Sequence, residues 1–239
     1  MSYLFHPSSV SQLMAEPASL RGANLPEDVL KIYNKKTKTD EDKAILAPYW
    51  RNTLSQGAKT YLGKIAKQVL FGYTPEVTTK EMLKGLRCEQ ESINLYNSVF
   101  FTSHEKNSRR VESDILTGEC DLLDDDLIID IKTPWSLETW PALPEDGDCP
   151  EYEWQGRAYM LLYDKPRFEL AYCMVTTPPD LIGYEDASIH LVDHIPAEMR
   201  ITRVQYERDV EKEAHLIAKC KAGQAYIETL IQRIIEAHK

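Results

Sequence analysis

The sequence of 239 residues lacks the features that define several common classes of protein. Its five cysteines are an odd number and no two form a C-x-x-C pair, which excludes a disulfide framework, a zinc ribbon and an iron–sulfur site. No run of about 18 apolar residues is present, so we expect no membrane-spanning helix and no membrane partner. The first residues show no basic segment followed by an apolar run, so we expect no signal peptide. Together these absences predict reduced thiols and a cytoplasmic protein.

Basic side chains are in the minority. Lysine and arginine total 28 against 38 aspartates and glutamates, which gives a formal net charge of −10. Because backbone phosphates repel such a chain, the charge argues against a broad nucleic-acid-binding surface, and DNA binding would need a local basic groove or bound cations. The length fits one domain, 1–239, and is enough to bury about 70% of the unfolded surface without a disulfide or a structural metal.

Hydrophobic periodicity and turn signals predict helices, then a β-hairpin, a helix, two strands and a final helix, which is a mixed α/β order. The predicted helices are 8–14 (with Ser8 or Ser9 as N-cap), 26–34, 53–70, 79–99, 151–163 and 207–238. The predicted strands are 114–116, 119–123, 127–133, 168–176 and 200–206. The polar run 35–43 is expected to be a loop or a helix end. In the helix 79–99, the apolar residues Met82, Leu86, Ile93 and Tyr96 are expected on one stripe.

The stretch GECDLLDDDLIIDIKTPW, which begins at Gly118, places acids inside what otherwise resembles a pair of buried strands. If residues 125–126 form a two-residue turn, the numbers of cross-strand partners sum to 251. The apolar pairs in this register are Leu122 with Ile129 and Cys120 with Ile131. All four are expected on one face of the hairpin, and a slip by one residue would destroy this separation.

The opposite face of the predicted hairpin carries Asp121 against Asp130 and Glu119 against Lys132. Directly opposed carboxylates repel each other, and burial increases the cost or protonates one of them. A divalent cation removes the conflict, because Mg²⁺ prefers hard oxygen ligands and often binds one or two carboxylates together with substrate phosphate. Lys132 lies about 6–7 Å along the strand from Asp130, where it can polarise an attacking water. The pattern indicates metal-assisted phosphodiester hydrolysis.

A non-catalytic interpretation of the hairpin is also open. Charged hairpins are common on protein surfaces, and Lys132 would then simply pair with Glu119. Glu119 is therefore either a metal ligand or the partner of the lysine. Asp124, Asp125 and Asp126 are expected to be turn residues that face water in either case.

The segments GECD (118–121) and IIDIKT (128–133) resemble the core motif of the PD-(D/E)XK nuclease superfamily. Gln155 lies 23 residues beyond Lys132, and together with Tyr159 it resembles the Q-x-x-x-Y element of one branch. That branch includes lambda exonuclease and the YqaJ-like phage recombination exonucleases. The two residues are one helical turn apart, so both can face the same site.

Two upstream segments are similar to the same branch. KGLRCEQESINLY resembles its G-x-x-x-E helix, with Glu89 as the acid, and SSVSQLM resembles its serine-containing helix start. Ser8 is the preferred match and Ser9 the alternative. The sequence departs from the family pattern in having no proline before Asp121, and in carrying Asp130 where glutamate is usual.

The resemblance implies an α/β (α+β) restriction-endonuclease-like core, with a central mixed β-sheet flanked by helices. It implies two Mg²⁺ or Mn²⁺ ions per site, with the ligands Glu89, Asp121, Asp130 and the carbonyl of Ile131. Lys132 would activate the water, Gln155 would orient that lysine or the scissile phosphate, and Tyr159 would belong to the same catalytic group. Ser8 or Ser9 would hold a DNA phosphate.

The activity implied by the resemblance is 5′ to 3′ digestion of one strand at double-stranded DNA ends. The enzyme would be a homo-oligomer, a ring trimer around the duplex, and would supply tails to a single-strand annealing protein in a phage-infected bacterial cell. Ring closure and cations would then replace a broad basic surface. The alternatives are a structure-specific or restriction-like endonuclease on the same fold, and a catalytically inactive module that binds nucleic acid or protein.

Overall fold

A computed structural model describes residues 2–239 of the chain. The helices are Ser11–Met14 (α1), Glu27–Tyr33 (α2), Asp40–Asn52 (α3), Gln56–Phe71 (α4), Lys80–Phe100 (α5), Pro144–Gly147 (α6), Pro150–Tyr163 (α7), Pro179–Ile182 (α8) and Val210–Ala237 (α9). The strands are Val111–Glu112 (β1), Thr117–Gly118 (β2), Leu122–Leu123 (β3), Leu127–Lys132 (β4), Arg167–Cys173 (β5) and Ile201–Glu207 (β6). Short 3-10 helices cover Pro7–Ser9, Ala187–Ile189 and Ala197–Met199. Among these described residues, all five cysteines are free, and every helix is too short or too polar to cross a bilayer.

A four-stranded sheet in the order β3-β4-β5-β6 organises the fold. The β4–β5 pair is parallel and the other two pairs are antiparallel, which makes the sheet mixed, as predicted. Helix α7 is the crossover that parallel neighbours require. Helix α5 packs on one face of the sheet and α7 on the other, and each contributes apolar side chains to a separate core. The predicted α/β class, with helices flanking a central mixed sheet, is confirmed.

The hairpin that carries the acidic segment has the predicted register. Leu122 pairs with Ile129, and the neighbouring pair obeys the same rule. The amide of Asp124 donates to the carbonyl of Leu127 at 2.9 Å, which closes a two-residue turn over 125–126.

The predicted division of this hairpin into one apolar and one acidic face is wrong. Leu122, Ile129 and Ile131 pack beneath α5, but Cys120 and Ile128 pack on the other side, beneath α7. Cys120 departs from the prediction because β3 begins only at Leu122, so this residue lies before the strand and outside its alternation. The second face is apolar because β4 and β5 are parallel, and their crossover helix returns over that face and buries Ile128. The acids therefore lie where the end of β4 meets an opening between the two helices.

The start of α3 was also not predicted correctly from the sequence. A loop or helix end was expected through 35–43, but the helix begins at Asp40. The hydroxyl of Thr39 accepts a hydrogen bond from the amide of Asp42 at 3.2 Å, and the carboxylate of Asp42 accepts one from the amide of Thr39 at 3.0 Å. This reciprocal capping box satisfies two backbone donors and fixes the helix start.

The first turns of α5 depart from the predicted apolar stripe. Ile93 and Tyr96 are buried, but Met82 is 56% exposed and Leu86 is 76% exposed. The difference arises because the first turns of α5 line an open cavity, whereas the later turns cover the sheet.

Gly156 allows α7 to lie close to β5. A Cβ atom at this position would stand 2.3 Å from Cδ1 of Phe168. We expect Gly156→Ala to lower the free energy of unfolding by about 1–3 kcal/mol, because the helix must shift or the ring must leave its rotamer. Chemical denaturation measures the difference.

Gly63→Ala in α4 is the matched control for this substitution, since its Cβ would meet nothing closer than 3.9 Å. Replacing a helical glycine there is expected to be neutral or to stabilise by up to about 1 kcal/mol. An equal loss of stability in the two variants would contradict the packing role of Gly156.

Candidate active site

A cavity of about 660 Å³ opens at the end of β4, between α5 and α7. Most of the site residues predicted from the sequence line it, and these are Glu89, Asp121, Asp130, Ile131, Lys132, Gln155 and Tyr159. They come from three elements and the loop before β3, so the fold brings together positions that are up to 70 residues apart in the chain, from 89 to 159.

Asp130 lies at the floor of this cavity and is only 2% exposed. Its Oδ1 accepts a hydrogen bond from Nε2 of Gln155 at 2.8 Å. Its Oδ2 forms an ion pair with Nζ of Lys132 at 2.7 Å. A carboxylate oxygen has two lone pairs, so Oδ2 keeps acceptor capacity for a cation besides the lysine.

Asp121 is the second carboxylate of the site. Its Oδ2 accepts a hydrogen bond from the amide of Ile131 at 2.8 Å, which ties the residue to the end of β4. Burial raises the pKa of Asp121 to about 7, and the negative charge of Asp130 adds to the increase. The repulsion that the sequence predicted is therefore present, and a proton or a cation relieves it.

Lys132 is held between three side chains. Besides the Asp130 carboxylate, its ammonium lies 3.4 Å from Oε1 of Gln155 and 4.6 Å from the ring centroid of Tyr152. Burial lowers the pKa of Lys132, but the attraction of Asp130 outweighs burial and leaves the pKa above its usual value. The ion pair of Lys132 in the described part of the chain is with Asp130, so the expectation that it pairs with Glu119 is wrong. Pairing along β4 is possible because the two residues share one face of that strand.

Gln155 and Tyr159, the two predicted site residues of α7, make different contacts. Gln155 is buried and bridges the carboxylate of Asp130 and the ammonium of Lys132 through its amide group. The hydroxyl of Tyr159 donates to the backbone carbonyl of Glu119 at 2.9 Å. Tyr159 therefore fixes the chain just before Asp121, and its ring forms part of the cavity wall.

Glu89 lies at the rim of the cavity, where it forms an ion pair with Lys106. Within residues 2–239, no group of three or more histidine, cysteine, aspartate or glutamate side chains gathers closely enough to hold a metal ion. Asp121 and Asp130 are thus brought together as a pair, and Glu89 is near enough only to raise the pKa of Asp121 through its charge. Of the predicted carboxylate ligands, the structure therefore pairs Asp121 with Asp130 and leaves Glu89 at the rim.

Ser8 and Ser9 do not line the cavity. Ser8 is exposed and Ser9 is half-buried in the 3-10 helix that precedes α1. The prediction that one of them caps α1 is wrong, because that helix begins after Val10 and no side chain caps it. The 3-10 helix packs against α7 and touches Gly118, where a Cβ would meet a ring carbon of Pro7 at 2.8 Å. A phosphate contact by either serine stays a prediction.

Sequence reasoning missed Lys84, whose side chain is completely buried beneath the site. Its ammonium donates to the carbonyls of Pro134 at 2.7 Å and Trp135 at 3.0 Å. Burial lowers the pKa of Lys84 to about 8. These bonds fasten the segment after Lys132 to α5. No local pattern could have singled this residue out, because its acceptors lie about 50 residues further along the chain.

The donor set fits a hard divalent cation. Asp121, Asp130 and Ile131 line one cavity, and carboxylate and carbonyl oxygens are the donors that Mg²⁺ and Mn²⁺ prefer. Such an ion would use the remaining acceptor capacity of Asp130 Oδ2 and relieve the repulsion between Asp121 and Asp130.

Asp121→Asn is expected to stabilise the metal-free protein at neutral pH. The folded-state pKa of Asp121 is about 7 against an ordinary value of 3.8, so the native state holds a proton that the unfolded state has lost between these pH values. The contribution to stability is therefore complete below about pH 4 and is lost as pH rises through about 7. The full effect is on the order of 4 kcal/mol.

Thermal unfolding in EDTA at pH 5 and pH 8 checks this expectation. The wild type should lose more stability than Asp121→Asn between the two pH values. Asp125→Asn, in the exposed turn of the same hairpin, is the control and should follow the wild type. Parallel pH profiles for the wild type and Asp121→Asn would contradict the assigned burial and repulsion.

The sheet order, the helices on its two faces and the carboxylates at the end of β4 agree with the nuclease core that the sequence motifs resemble. Comparison with solved structures leads to the same class. The chain is similar to a phage-related exonuclease from Haemophilus somnus 129PT, with 26% identity, a TM-score of 0.80, and coverage of 98% of this chain and 97% of that chain. It is also similar in fold to the alkaline exonuclease LHK-Exo from Laribacter hongkongensis, with 19% identity and a TM-score of 0.59 over 79% of this chain and 88% of that one. The same enzyme in complex with dAMP gives the same values.

No protein-family model and no curated protein matches the sequence. The resemblance to the lambda exonuclease and YqaJ-like branch, predicted from the motifs, is confirmed by the similarity to the Haemophilus enzyme over nearly the whole of both chains. The Laribacter enzyme supports the fold.

Proposed function

We propose that this chain is a metal-dependent DNA exonuclease of the phage recombination type. The observation that carries the proposal is the buried pair Asp121 and Asp130 beside the ammonium of Lys132, in a cavity at the end of β4. Two similar solved structures are described as a phage-related exonuclease and an alkaline exonuclease, which supports the same activity.

Each residue of the site has a proposed role. Asp121, Asp130 and the carbonyl of Ile131 would hold Mg²⁺ or Mn²⁺, which when bound would offset charge on the scissile phosphate and lower the pKa of a coordinated water. Lys132 would polarise the attacking water from the position in which Asp130 and Gln155 hold it.

The remaining polar side chains would position these groups. Gln155 would fix the positions of the Lys132 ammonium and the Asp130 carboxylate relative to each other, since it is hydrogen-bonded to both. Tyr159 would fix the chain before Asp121 through its bond to the carbonyl of Glu119. Ser8 or Ser9 would contact a DNA phosphate outside the cavity.

We further propose that the substrate is the end of linear duplex DNA, digested from 5′ to 3′, and that the exposed strand serves a single-strand annealing protein in the cytoplasm of a bacterial host. A homo-oligomeric ring, a trimer as in the lambda-like enzymes, would enclose the duplex. Enclosure suits a chain with a net charge of −10, because it retains DNA without a broad basic surface.

A time course on linear duplex DNA tests the proposal. One substrate carries a label at the 5′ end and the other at the 3′ end of the same strand, each with Mg²⁺ and with EDTA. We expect Mg²⁺-dependent release of the 5′ label as mononucleotide at the earliest times, with the 3′ label retained in shortening fragments. No release from either end in Mg²⁺ or Mn²⁺ would contradict the enzyme activity and favour the inactive binding module.

Covalently closed circular DNA separates the exonuclease from the endonuclease on the same fold. We expect digestion of the linear form alone. Cutting of the closed circle at a comparable rate would replace the exonuclease proposal with the endonuclease.

A further inference from the structure

Lys106 lies beside Glu89 at the rim of the cavity. Glu89 is the residue that the lambda-like resemblance implies as a metal ligand. The ammonium of Lys106 forms an ion pair with Glu89, and the lysine side chain is 46% exposed. The hydrogen bond that Lys106 donates to the carboxylate of Glu89 raises the pKa of Lys106, and the charges of Asp121 and Glu119 add to that increase. The ammonium therefore contacts Glu89 directly and lies in the negative field of the neighbouring acids.

The position of Lys106 is fixed by the backbone next to it. The amide of Asn107 donates to the carbonyl of Asp121 at 2.7 Å, and its side-chain amide donates to the carbonyl of Cys120 at 3.0 Å. The side-chain oxygen of Asn107 also accepts from the amide of Arg109 at 3.0 Å. The loop is thus fastened alongside the segment before β3 that carries Asp121, which holds the preceding lysine at the acidic rim.

The charges of the site indicate what this lysine does. The ammonium of Lys106 already neutralises Glu89, the third acid that the resemblance implies as a metal ligand. Among residues 2–239, no group of three or more acidic, histidine or cysteine side chains gathers closely enough to hold a metal ion, so Asp121 and Asp130 remain as the paired carboxylates. A second cation at Glu89 would have to displace this ammonium or lie beside it, and like charges close together in a partly buried cavity are costly.

We propose that Lys106 takes the place of a second metal ion beside Glu89, so that this site binds one divalent cation, at Asp121 and Asp130. The inference rests on the proposed function, because it assumes that the aspartate pair binds metal. It replaces the two ions per site implied by the family resemblance. Glu89 then acts as the anchor of Lys106, and the ammonium supplies positive charge at the rim in the place of that ion.

Isothermal titration with Mn²⁺ on the full chain at neutral pH measures the number of ions bound. The variants are Lys106→Met, which keeps the aliphatic length and removes the charge, and Lys106→Arg, which keeps the charge. Lys35→Met is the matched control, because Lys35 is 50% exposed and pairs with an acid, Asp42, outside the cavity. Circular dichroism verifies folding of each variant.

We expect one Mn²⁺ per chain for the wild type, Lys106→Arg and Lys35→Met, and two for Lys106→Met, in which Glu89 is released. Two ions in the wild type, or one ion in a folded Lys106→Met protein, would overturn the role of Lys106. No bound ion in the wild type would instead contradict the proposed metal-dependent function, so the two failures are distinguishable.

Discussion

Lys132→Ala is expected to reduce DNA cleavage by roughly 10²- to 10⁴-fold, the range by which a positioned proton-transfer group accelerates a reaction. Its ammonium lies 2.7 Å from Asp130 and is oriented by Gln155, so the substitution removes the group that would polarise the attacking water. Binding of Mn²⁺ should persist, because both carboxylates remain and a competing positive charge is gone. The rate of nucleotide release and Mn²⁺ calorimetry on the same preparation measure the two effects.

Lys165→Ala provides the matched control for this substitution. Lys165 lies between α7 and β5, and its ammonium donates to the carbonyl of Asp125 in the hairpin turn at 2.7 Å, away from the cavity. We expect that variant to cleave DNA at the wild-type rate. Loss of Mn²⁺ uptake in Lys132→Ala would contradict the division of roles between the lysine and the carboxylates.

Asp130→Asn is expected to abolish both Mn²⁺ binding and cleavage. The amide has nearly the same size and can still accept the hydrogen bond from Gln155, but it removes the negative charge of the most buried carboxylate in the cavity. Changing a side chain that merely supports a metal ligand already costs about 10- to 100-fold in affinity, so losing the ligand charge itself should cost at least about 100-fold. Calorimetry and the nuclease assay provide the two measurements.

Asp126→Asn is the control for Asp130→Asn. Asp126 is exposed in the turn of the same hairpin and pairs with Arg167 at 2.6 Å, outside the cavity. Its replacement should change neither Mn²⁺ affinity nor cleavage. An unchanged Mn²⁺ affinity in Asp130→Asn would remove this residue from the ligand set.

Local sequence patterns were sufficient for the hairpin and most of the helices. The register of β3 with β4 follows from alternation and from a two-residue turn, both of which are short-range properties. The helices that begin at Lys80 and Pro150 were predicted within a residue or two, because each has a start signal followed by helical periodicity. Once these elements were in place, the resemblance supplied the order in which they assemble around the cavity.

Contacts between residues far apart in the chain could not be predicted from local sequence patterns. The burial of Cys120 beneath α7, and the exposure of Met82 and Leu86, depend on which helix covers which part of the sheet. The ion pair between Glu89 and Lys106 joins a helix to a loop 17 residues later, and nothing in the spacing of charges indicates it. Sequence reasoning therefore brought the acids to one cavity but did not foresee the lysine that pairs with Glu89.

The central claim is that Asp121 and Asp130 hold a divalent cation beside Lys132. Anomalous diffraction from crystals of the protein grown or soaked in Mn²⁺ tests it most directly. The account predicts a peak in coordination contact with both carboxylates and with the carbonyl of Ile131. A map without a peak there, under conditions in which the enzyme degrades DNA, would contradict it.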